Sequence, residues 1–192
     1  MNEQLILASA SPRRRELLDQ IAVSYIVNAV DIDETPKDAE IAQHYVIRVA
    51  AEKSAACLQL LSPTLPILAA DTSVVIEGEI LGKPENEAHA MQMLQKLSGK
   101  THSVYSAVSV RGKAGHHQAL SITEVTFRKI EPTEIKAYWK TGEPQGKAGA
   151  YAIQGLGSIF VESIKGSFSG VVGLPLFETV ELLSRQGIKV IT

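Results

Sequence analysis

Short apolar runs alternate with amphipathic helical patterns along almost the whole chain, and this alternation most restricts the folds available to it. Leu5–Ala8 and Pro66–Ala70 are typical of buried strands, whereas Ala39–Leu61 has the spacing of a helix. Val104–Val110 and Ile122–Phe127 alternate like the two strands of a hairpin. Because hairpins occur together with crossover helices, we predict an α/β fold in which one mixed, bent sheet is flanked by helices around a central cleft.

No composition break, repeat or low-complexity linker divides the chain. We therefore predict a single domain over residues 1–192, with two lobes at most. Its 19 basic and 21 acidic residues give a formal net charge of −2. A chain so close to neutral lacks the broad basic surface that nucleic acid requires, so any anion site must be built from local cations.

Cysteine content and hydropathy limit the chain further. The single cysteine, Cys57, excludes an intramolecular disulfide, and we expect it to be a small buried apolar residue. No apolar run approaches the ~20 residues that a bilayer crossing needs. We therefore expect a soluble protein of a reducing compartment that binds neither nucleic acid nor membrane.

A cluster of arginines opens the first predicted helix. Ser11 and Pro12 form a typical helix start, with Ser11 as the capping residue, and Arg13, Arg14 and Arg15 follow directly. A helix N-terminus carries partial positive charge, so three arginines there are unfavourable unless an anion binds between them and the free backbone amides. The cluster indicates either a phosphate site or an ordinary solvated basic turn.

Three charged positions are candidates for catalysis or metal binding. Lys53 falls within the apolar stripe of its helix, so it must snorkel to solvent, find a carboxylate partner or face a polar cavity. Asp71 follows an apolar strand, where an acid is a metal ligand, a general base or the cap of a turn. Glu34 belongs to an acidic loop that is either solvated or, with Asp71, supplies carboxylates to Mg²⁺ or Mn²⁺.

Familiar nucleotide-binding and hydrolase motifs are missing. Gly99-Lys100-Thr101 resembles the end of a P-loop, but Leu94 stands where the first glycine is required. Gly155-Leu156-Gly157 lacks the third glycine of a dinucleotide fingerprint. Gly166–Gly170 is shifted from the nucleophile-elbow pattern and leads into Val171-Val172, which we predict to be a strand. Any nucleotide site must therefore be of another kind.

Seven short motifs, in order from near Leu5 to about Gly187, resemble the Maf family of nucleotide pyrophosphatases. They are Ser9-Ala10-Ser11-Pro12-Arg13-Arg14, Ala70-Asp71-Thr72, Gly82-Lys83-Pro84, Lys96-Leu97-Ser98-Gly99, Lys147-Ala148-Gly149-Ala150-Tyr151, Ile153-Gln154-Gly155 and Val172-Gly173-Leu174-Pro175. The resemblance implies a Maf/ITPase-like fold with a nucleotide-binding cleft, and a homodimer in the cytoplasm. It also implies a hydrolase that uses a divalent metal, Mg²⁺, Mn²⁺ or Co²⁺, to split nucleoside triphosphates into a monophosphate and pyrophosphate.

Gln154 indicates the branch of that family that acts on dTTP and UTP, with modified pyrimidine nucleotides as further candidates. A sister branch, which acts on 7-methyl-GTP, has glutamate at this place. Ala152 departs from the pyrimidine pattern, which more often has glycine there, so its methyl group is expected to narrow the base pocket.

The resemblance also assigns roles to residues. It makes Asp71 the proton acceptor and, with Glu34, a metal ligand, and it places Lys53 and Lys83 in the catalytic site. It ties Arg13, Thr72 and Gln154 to the choice of base, and Ser9 and Arg14 to substrate binding. The alternative is a non-catalytic nucleotide sensor or a regulator of division and septum formation, which would bind nucleotides without turnover.

Overall fold

The computed structural model describes residues 3–61 and 64–191. Its strands are β1 (Leu5–Leu7), β2 (Tyr25–Val27), β3 (Ile67–Ile76), β4 (Glu79–Leu81), β5 (Thr101–Gly112), β6 (Gly115–Phe127) and β7 (Val161–Lys165). Its α-helices are α1 (Pro12–Gln20), α2 (Ala42–Leu61), α3 (Glu87–Leu97), α4 (Pro132–Lys140), α5 (Phe168–Val172) and α6 (Leu176–Arg185). Short 3₁₀ turns lie at Ala148–Ala150 and Leu156–Phe160.

All seven strands belong to one mixed sheet. The order is β2-β1-β3-β5-β6-β7, and β4 pairs with β3 beside this path. β1 runs parallel to both β2 and β3, while the later pairs are antiparallel. The predicted α/β fold with a mixed sheet and flanking helices is therefore confirmed.

Alternate residues of the central strands face two different helix layers. Val104 and Val108 of β5 pack into the large core shared with α1, α3, α4 and α6, whereas Ala107 packs against α2. Cys57 of α2 is buried on that second face, as the sequence predicts. Because side chains alternate along a strand, neighbouring residues of β3 also point into different layers. This alternation sends Asp71 toward α2 and Thr72 toward the larger core.

The position of Asp71 in its strand differs from the sequence prediction. The sequence predicts a strand ending at Asp71 and a separate hairpin of Val74–Ile76 with Ile80-Leu81, but β3 is continuous from Ile67 to Ile76 and pairs with β4 at its end. The polar segment stays extended because Asp71 and Thr72 keep their ladder partners in β5, Ala107 and Ser106. β1, in contrast, ends at Leu7 beside Leu68. Asp71 is thus a mid-strand residue just beyond the carboxyl end of the shorter neighbour.

Three other element predictions were wrong in detail. Val171-Val172 lies in α5 and not in a strand. Ile159-Phe160-Val161 has the apolar pattern of a strand, but Ile159 and Phe160 lie in a 3₁₀ turn and only Val161 belongs to β7. α2 begins at Ala42 rather than Ala39, because Ala39 has a positive φ of 56° and the Glu40 amide closes a turn on Lys37. Within the part of the chain that the structure describes, no helix is both long and apolar enough to cross a membrane.

Candidate active site

A cleft of about 590 Å³ opens beside β3. It collects most of the residues that the sequence singled out, although they are far apart in the chain. Those that line it are Ser9, Arg13, Arg14, Glu34, Lys53, Asp71, Thr72 and Lys83. Residues from α1, the acidic loop, α2 and β3 thus meet in one cleft, which no single local motif forms.

Lys53 holds two carboxylates together in the cleft. Its Nζ lies 2.9 Å from Oδ1 of Asp71 and 2.8 Å from Oε1 of Glu34. Lys53 and Asp71 are both buried, while Glu34 is about half exposed. Of the options left open by the sequence, Lys53 therefore takes the carboxylate partner and does not snorkel.

The electrostatic setting keeps Glu34 ionised. Partial burial opposes its charge, but the hydrogen bond from Lys53 and the charges of Lys53, Lys83 and Arg14 outweigh it and hold the pKa of Glu34 below its usual value. Lys83 and Arg14 thus act on the same carboxylate from other parts of the cleft. The carboxylates of Glu34 and Asp71 therefore lie among cationic side chains.

Arg48 anchors the loop that carries Glu34. Its guanidinium makes two 2.7 Å contacts with the Glu40 carboxylate and donates to the Thr35 carbonyl at 3.2 Å. The hydrogen bond from Arg48 lowers the pKa of Glu40 to about 2. A bidentate arginine–carboxylate pair of this kind fixes geometry as well as charge. Glu34, next to Thr35, is therefore held against α2.

Arg13 and Arg14 are fixed by backbone carbonyls at the end of α5. Arg13 Nε donates to Val172 at 3.2 Å, and Arg14 Nε donates to Gly173 at 2.9 Å. Arg14 Nη1 also donates to Ser9 Oγ at 2.9 Å. Burial lowers the pKa of Arg14, and the charge of Asp71 opposes this shift. Both guanidinium groups are therefore oriented by the protein while they line the cleft.

The predicted capping role of Ser11 was wrong. Ser11 occupies the N-cap position of α1, but its side chain makes no capping hydrogen bond. The Ser11 amide instead donates to Ser9 Oγ at 3.3 Å, the oxygen that also accepts from Arg14. Ser9 Oγ thus accepts from both the Ser11 amide and Arg14, while Ser11 lines the cleft.

A loop from Gln145 to Ala152 forms the opposite wall of the cleft. Its close approach to β3 depends on Gly149, which has a φ of +66° and donates its N–H to the Gly82 carbonyl at 3.0 Å. A Cβ at Gly149 would lie 2.9 Å from the Val74 methyl groups, so only glycine fits. The contact brings Lys147 into the cleft that Lys83 also lines. Burial lowers the pKa of Lys147, and the charge of Arg13 adds to this shift.

Gln154 is the predicted site residue that the structure does not bring into the cleft. It is exposed and does not line the cavity, whereas its neighbours Tyr151 and Ala152 do. Gly155 donates to the Ala152 carbonyl, closing a turn that carries Gln154 outward. Glu143 then fixes the following segment by accepting from the amides of Leu156 and Gly157, both at 2.9 Å.

Three residues near the cleft were not among the predicted site residues. Tyr45 lines the cavity, and burial together with the charges of Asp71 and Glu34 raises its pKa to about 12. Lys147 lines the cavity as well, and its place in a quoted motif was the available signal. Ser106 lies behind Thr72, on the same face of β5 as the buried Val104. The signal in the sequence was a polar residue at a position where the strand pattern predicts an apolar one.

The donor set of the cleft fits a divalent cation. Asp71 and Glu34 offer oxygen ligands that converge on one point, now taken by the Lys53 ammonium. Within residues 3–61 and 64–191, no group of three or more His, Cys, Asp or Glu side chains forms a complete metal cage. Mg²⁺ is commonly held by one or two carboxylates together with substrate phosphates. The pair therefore fits a cation that arrives with its phosphorylated ligand.

Tyr151, in the cleft wall, is supported from behind by a buried histidine. His102 Nε2 lies 2.8 Å from the Tyr151 hydroxyl, and the two rings pack edge to face with Phe127. Burial lowers the pKa of His102 to about 4. His102 is therefore neutral at neutral pH and serves as a packing and hydrogen-bonding partner.

This pKa predicts an acid-sensitive contribution to stability. The unfolded chain binds a proton at His102 near pH 6.5, but the folded chain resists it until about pH 4, so stability is lost as the pH falls between these values. Replacing His102 with glutamine should reduce that loss by about 3 kcal/mol. Urea unfolding from pH 7 to 4 measures it. His44→Gln, which removes an exposed imidazole, is the matched control. Equal slopes in wild type and His102→Gln would contradict the prediction.

Fold and cleft together define an α/β protein with one large cation-lined pocket suited to a polyanion and a divalent metal. Five basic side chains reach this cleft, namely Arg13, Arg14, Lys53, Lys83 and Lys147. The chain belongs to the family described as Maf-like protein, whose model matches residues 4–186. The family resemblance in the sequence motifs is thereby confirmed.

Several relatives align over nearly the full chain. A dTTP/UTP pyrophosphatase from Methylococcus capsulatus is 52% identical, covering 96% of this chain and 92% of the relative. A dTTP/UTP pyrophosphatase from Escherichia coli is 50% identical over 94% and 91% of the two chains. A nucleoside triphosphate pyrophosphatase from Haemophilus ducreyi is 47% identical over 100% and 99%.

Proposed function

We propose that this protein hydrolyses nucleoside triphosphates, with dTTP and UTP as its preferred substrates, to the monophosphate and pyrophosphate. Relatives that align over almost the entire chain carry the name dTTP/UTP pyrophosphatase. The structural observation that best supports the proposal is the contact of Lys53 with both Asp71 and Glu34 inside a cation-lined cleft. Modified pyrimidine nucleotides are further candidate substrates.

The chemistry follows from how charge is placed. Phosphoryl transfer needs little covalent work from the protein, so catalysis comes mainly from positioning and from neutralising the phosphate oxygens. Arg13, Arg14 and Lys83 are placed to bind the phosphate chain. Asp71 is the candidate acceptor for the proton of the attacking water, and only its Oδ1 bonds to Lys53 among the described contacts. The water oxygen bonds to the α-phosphorus as the bond to the oxygen bridging the α- and β-phosphates breaks, and pyrophosphate leaves as an anion whose charge these side chains neutralise until it is released.

A divalent cation would be held by Asp71 and Glu34. When bound, Mg²⁺, Mn²⁺ or Co²⁺ supplies positive charge to the phosphate oxygens and lowers the pKa of a coordinated water. Lys53 contacts one oxygen of each of these carboxylates, Oδ1 of Asp71 and Oε1 of Glu34, so a cation would share the pair with the ammonium. The negative charge of the two carboxylates is thus compensated by Lys53 alone or by Lys53 together with the cation.

The alternative function, a nucleotide sensor without turnover, is less well supported. A protein that only binds triphosphates gains from arginines and lysines, but two carboxylates in the same cleft weaken phosphate binding and need Lys53 or a metal to compensate their charge. Glu34 and Asp71 are therefore costly for a simple binder and useful for a hydrolase. The relatives named as pyrophosphatases agree with the hydrolase.

Product analysis tests the proposed function directly. Purified protein would be incubated with UTP, dTTP, CTP, ATP or GTP and Mg²⁺, Mn²⁺ or Co²⁺, with a metal-free control containing EDTA. We expect UMP and pyrophosphate from UTP, in equal amounts and only with metal. UDP and inorganic phosphate would place cleavage at the γ-phosphate and contradict the proposal. Tight UTP binding without products would favour the sensor.

Replacing Gln154 is predicted to change the hydrolysis of uracil and guanine nucleotides by the same factor. Because its side chain is exposed and outside the cleft, Gln154→Glu should change kcat/KM for UTP and GTP by the same factor, within about twofold. Gln145→Glu is the contrasting variant, since Gln145 lines the cleft and a new carboxylate there should repel both triphosphates. A much larger loss for UTP than for GTP in Gln154→Glu would show that Gln154 contacts the base after all.

Assembly remains a prediction from the family resemblance. We propose that residues 1–192 act as one catalytic unit, because strands from both ends of the sequence share the sheet that carries Asp71. A homodimer is expected, and the mass in solution from light scattering tests it. The cytoplasmic location remains an expectation of the same kind.

A further inference from the structure

Two hydroxyl groups meet on the inner face of the sheet beside the cleft. Thr72 of β3 and Ser106 of β5 are ladder partners, and their Oγ atoms lie 3.0 Å apart. Thr72 lines the cleft, whereas Ser106 is 1% exposed and lies behind it. Ser106 therefore acts on a ligand only through Thr72.

The other hydrogen bond of Ser106 fixes which hydroxyl donates in this contact. Ser106 Oγ donates to the Gly170 carbonyl at 2.6 Å, and a carbonyl can only accept, so the single Ser106 proton is used there. In its bond with Thr72, Ser106 must then be the acceptor. The other acceptor near the Thr72 hydroxyl is the Gly173 carbonyl, at 3.5 Å. In either case a protein group takes the Thr72 proton, and Thr72 presents only lone pairs to the cleft.

The surroundings of Thr72 suit a planar base. Thr72 lies in the face of β3 that carries Val74, and these two residues border the cleft together with Val104, Tyr151 and Ala152. Asp71 and Lys53 lie toward α2, on the other face of the strand. Binding pockets are usually apolar with a few placed polar groups that set specificity. Thr72 is such a group, placed between these side chains and the Gly173 carbonyl, which also accepts from Arg14.

We propose that Ser106 is a positioning residue that makes Thr72 an obligate hydrogen-bond acceptor, and that this polarity selects bases with a ring N–H. Uracil and thymine carry a hydrogen at N3, whereas cytosine has a lone pair there, which would face the lone pairs of Thr72. A site whose polar group is left without its partner discriminates strongly. The inference rests on the proposed function, whose substrates are UTP and dTTP.

Binding and turnover are measured separately to test it. Calorimetry in EDTA gives the affinities for UTP, CTP and 3-methyl-UTP, in which a methyl group replaces the N3 hydrogen. Steady-state kinetics with Mg²⁺ gives kcat/KM for the same three nucleotides. For wild type we expect UTP to be preferred over both others by about tenfold to a hundredfold in each assay.

Ser106→Ala removes the acceptor that Thr72 needs, so the Thr72 hydroxyl becomes free to donate to cytosine N3. We expect the preference for UTP over CTP to fall about tenfold. Ser106→Cys, which is nearly isosteric and a weak acceptor, should shift it in the same direction if the alanine variant folds poorly. Thr72→Val removes the hydroxyl and should also abolish the preference.

Ser109→Ala is the matched control. Ser109 is a fully buried serine of the same strand, and its Oγ contacts Ser54 and His116, both at 2.8 Å, away from the cleft. Ser109→Ala should lose stability as Ser106→Ala does, but it should keep the wild-type preference for UTP over CTP in affinity and in kcat/KM. If Ser106 had only a structural role, Ser106→Ala and Ser109→Ala would have the same effect on the preference for UTP over CTP.

The outcomes separate the inference from the proposed function. A folded Ser106 variant that keeps the wild-type ratio overturns the inference, and so does equal wild-type affinity for UTP and 3-methyl-UTP. If wild type binds UTP but releases no pyrophosphate, the proposed hydrolase fails, while the affinities still decide whether Thr72 and Ser106 read N3.

Discussion

Replacing Asp71 with asparagine is expected to lower kcat for UTP hydrolysis by about 10²- to 10⁴-fold, the usual cost of losing a general base. Asparagine keeps the size of the side chain but removes the charge that Lys53 contacts at 2.9 Å and that a cation would share. Pyrophosphate release at saturating Mg²⁺ and Mn²⁺ measures the effect. The fold should persist, because the strand ladder of Asp71 with Ala107 uses backbone groups.

The matched control is Asp38→Asn, which makes the same chemical change at an exposed position of the acidic loop. It should retain turnover close to wild type. Thermal unfolding and binding of UMP in EDTA confirm that Asp71→Asn still folds and still forms the base pocket. Near-normal turnover of Asp71→Asn at saturating metal would remove Asp71 from the mechanism.

Lys53→Met should lower kcat by about 10²-fold, in the range for losing one charged group that stabilises the transition state. Methionine preserves the apolar stem but leaves Asp71 and Glu34 facing each other without the ammonium that now joins them. Removing one partner of a buried ion pair is destabilising, so the melting temperature in EDTA should also fall. Added Mg²⁺ or Mn²⁺ should raise it more in the variant than in wild type, because in the variant the metal supplies the positive charge that the two carboxylates have lost.

Lys136→Met, at an exposed position of α4, is the control for removing a lysine. Its melting temperature should respond to metal as that of wild type does. A Lys53→Met protein with full activity and an unchanged response to metal would show that the contacts with Asp71 and Glu34 have no part in catalysis or metal binding.

Sequence patterns anticipated features that depend on local chemistry. A lysine in an apolar stripe must snorkel, find a carboxylate partner or face a polar cavity, and only the structure shows that Lys53 contacts carboxylates. The patterns failed where pairing across the chain decides the outcome. Asp71 looked like the end of a strand because it is polar, yet the ladder of β3 with β5 carries the strand through it. Val171-Val172 looked like a strand because it is β-branched, yet it is part of α5.

The site was less predictable than the fold because its directions depend on tertiary contacts. Gln154 follows the inward-facing Ala152 and Ile153, and only the turn fixed by Glu143 carries it away from the cleft. The polarity of Thr72 depends on Ser106 and on a carbonyl of α5. The sequence shows Ser106 as a polar residue among apolar ones, but it shows neither the bonds of Ser106 nor the turn at Gln154.

The bonds from Arg13 and Arg14 to the carbonyls of Val172 and Gly173 have a consequence for biosynthesis. Each spans 159 positions. A ribosome has therefore translated and exposed the arginines long before their acceptors emerge. A nascent chain stalled before residue 172 should display basic side chains without the geometry that orients them, and the ability to capture phosphates should arise only in the last stage of synthesis.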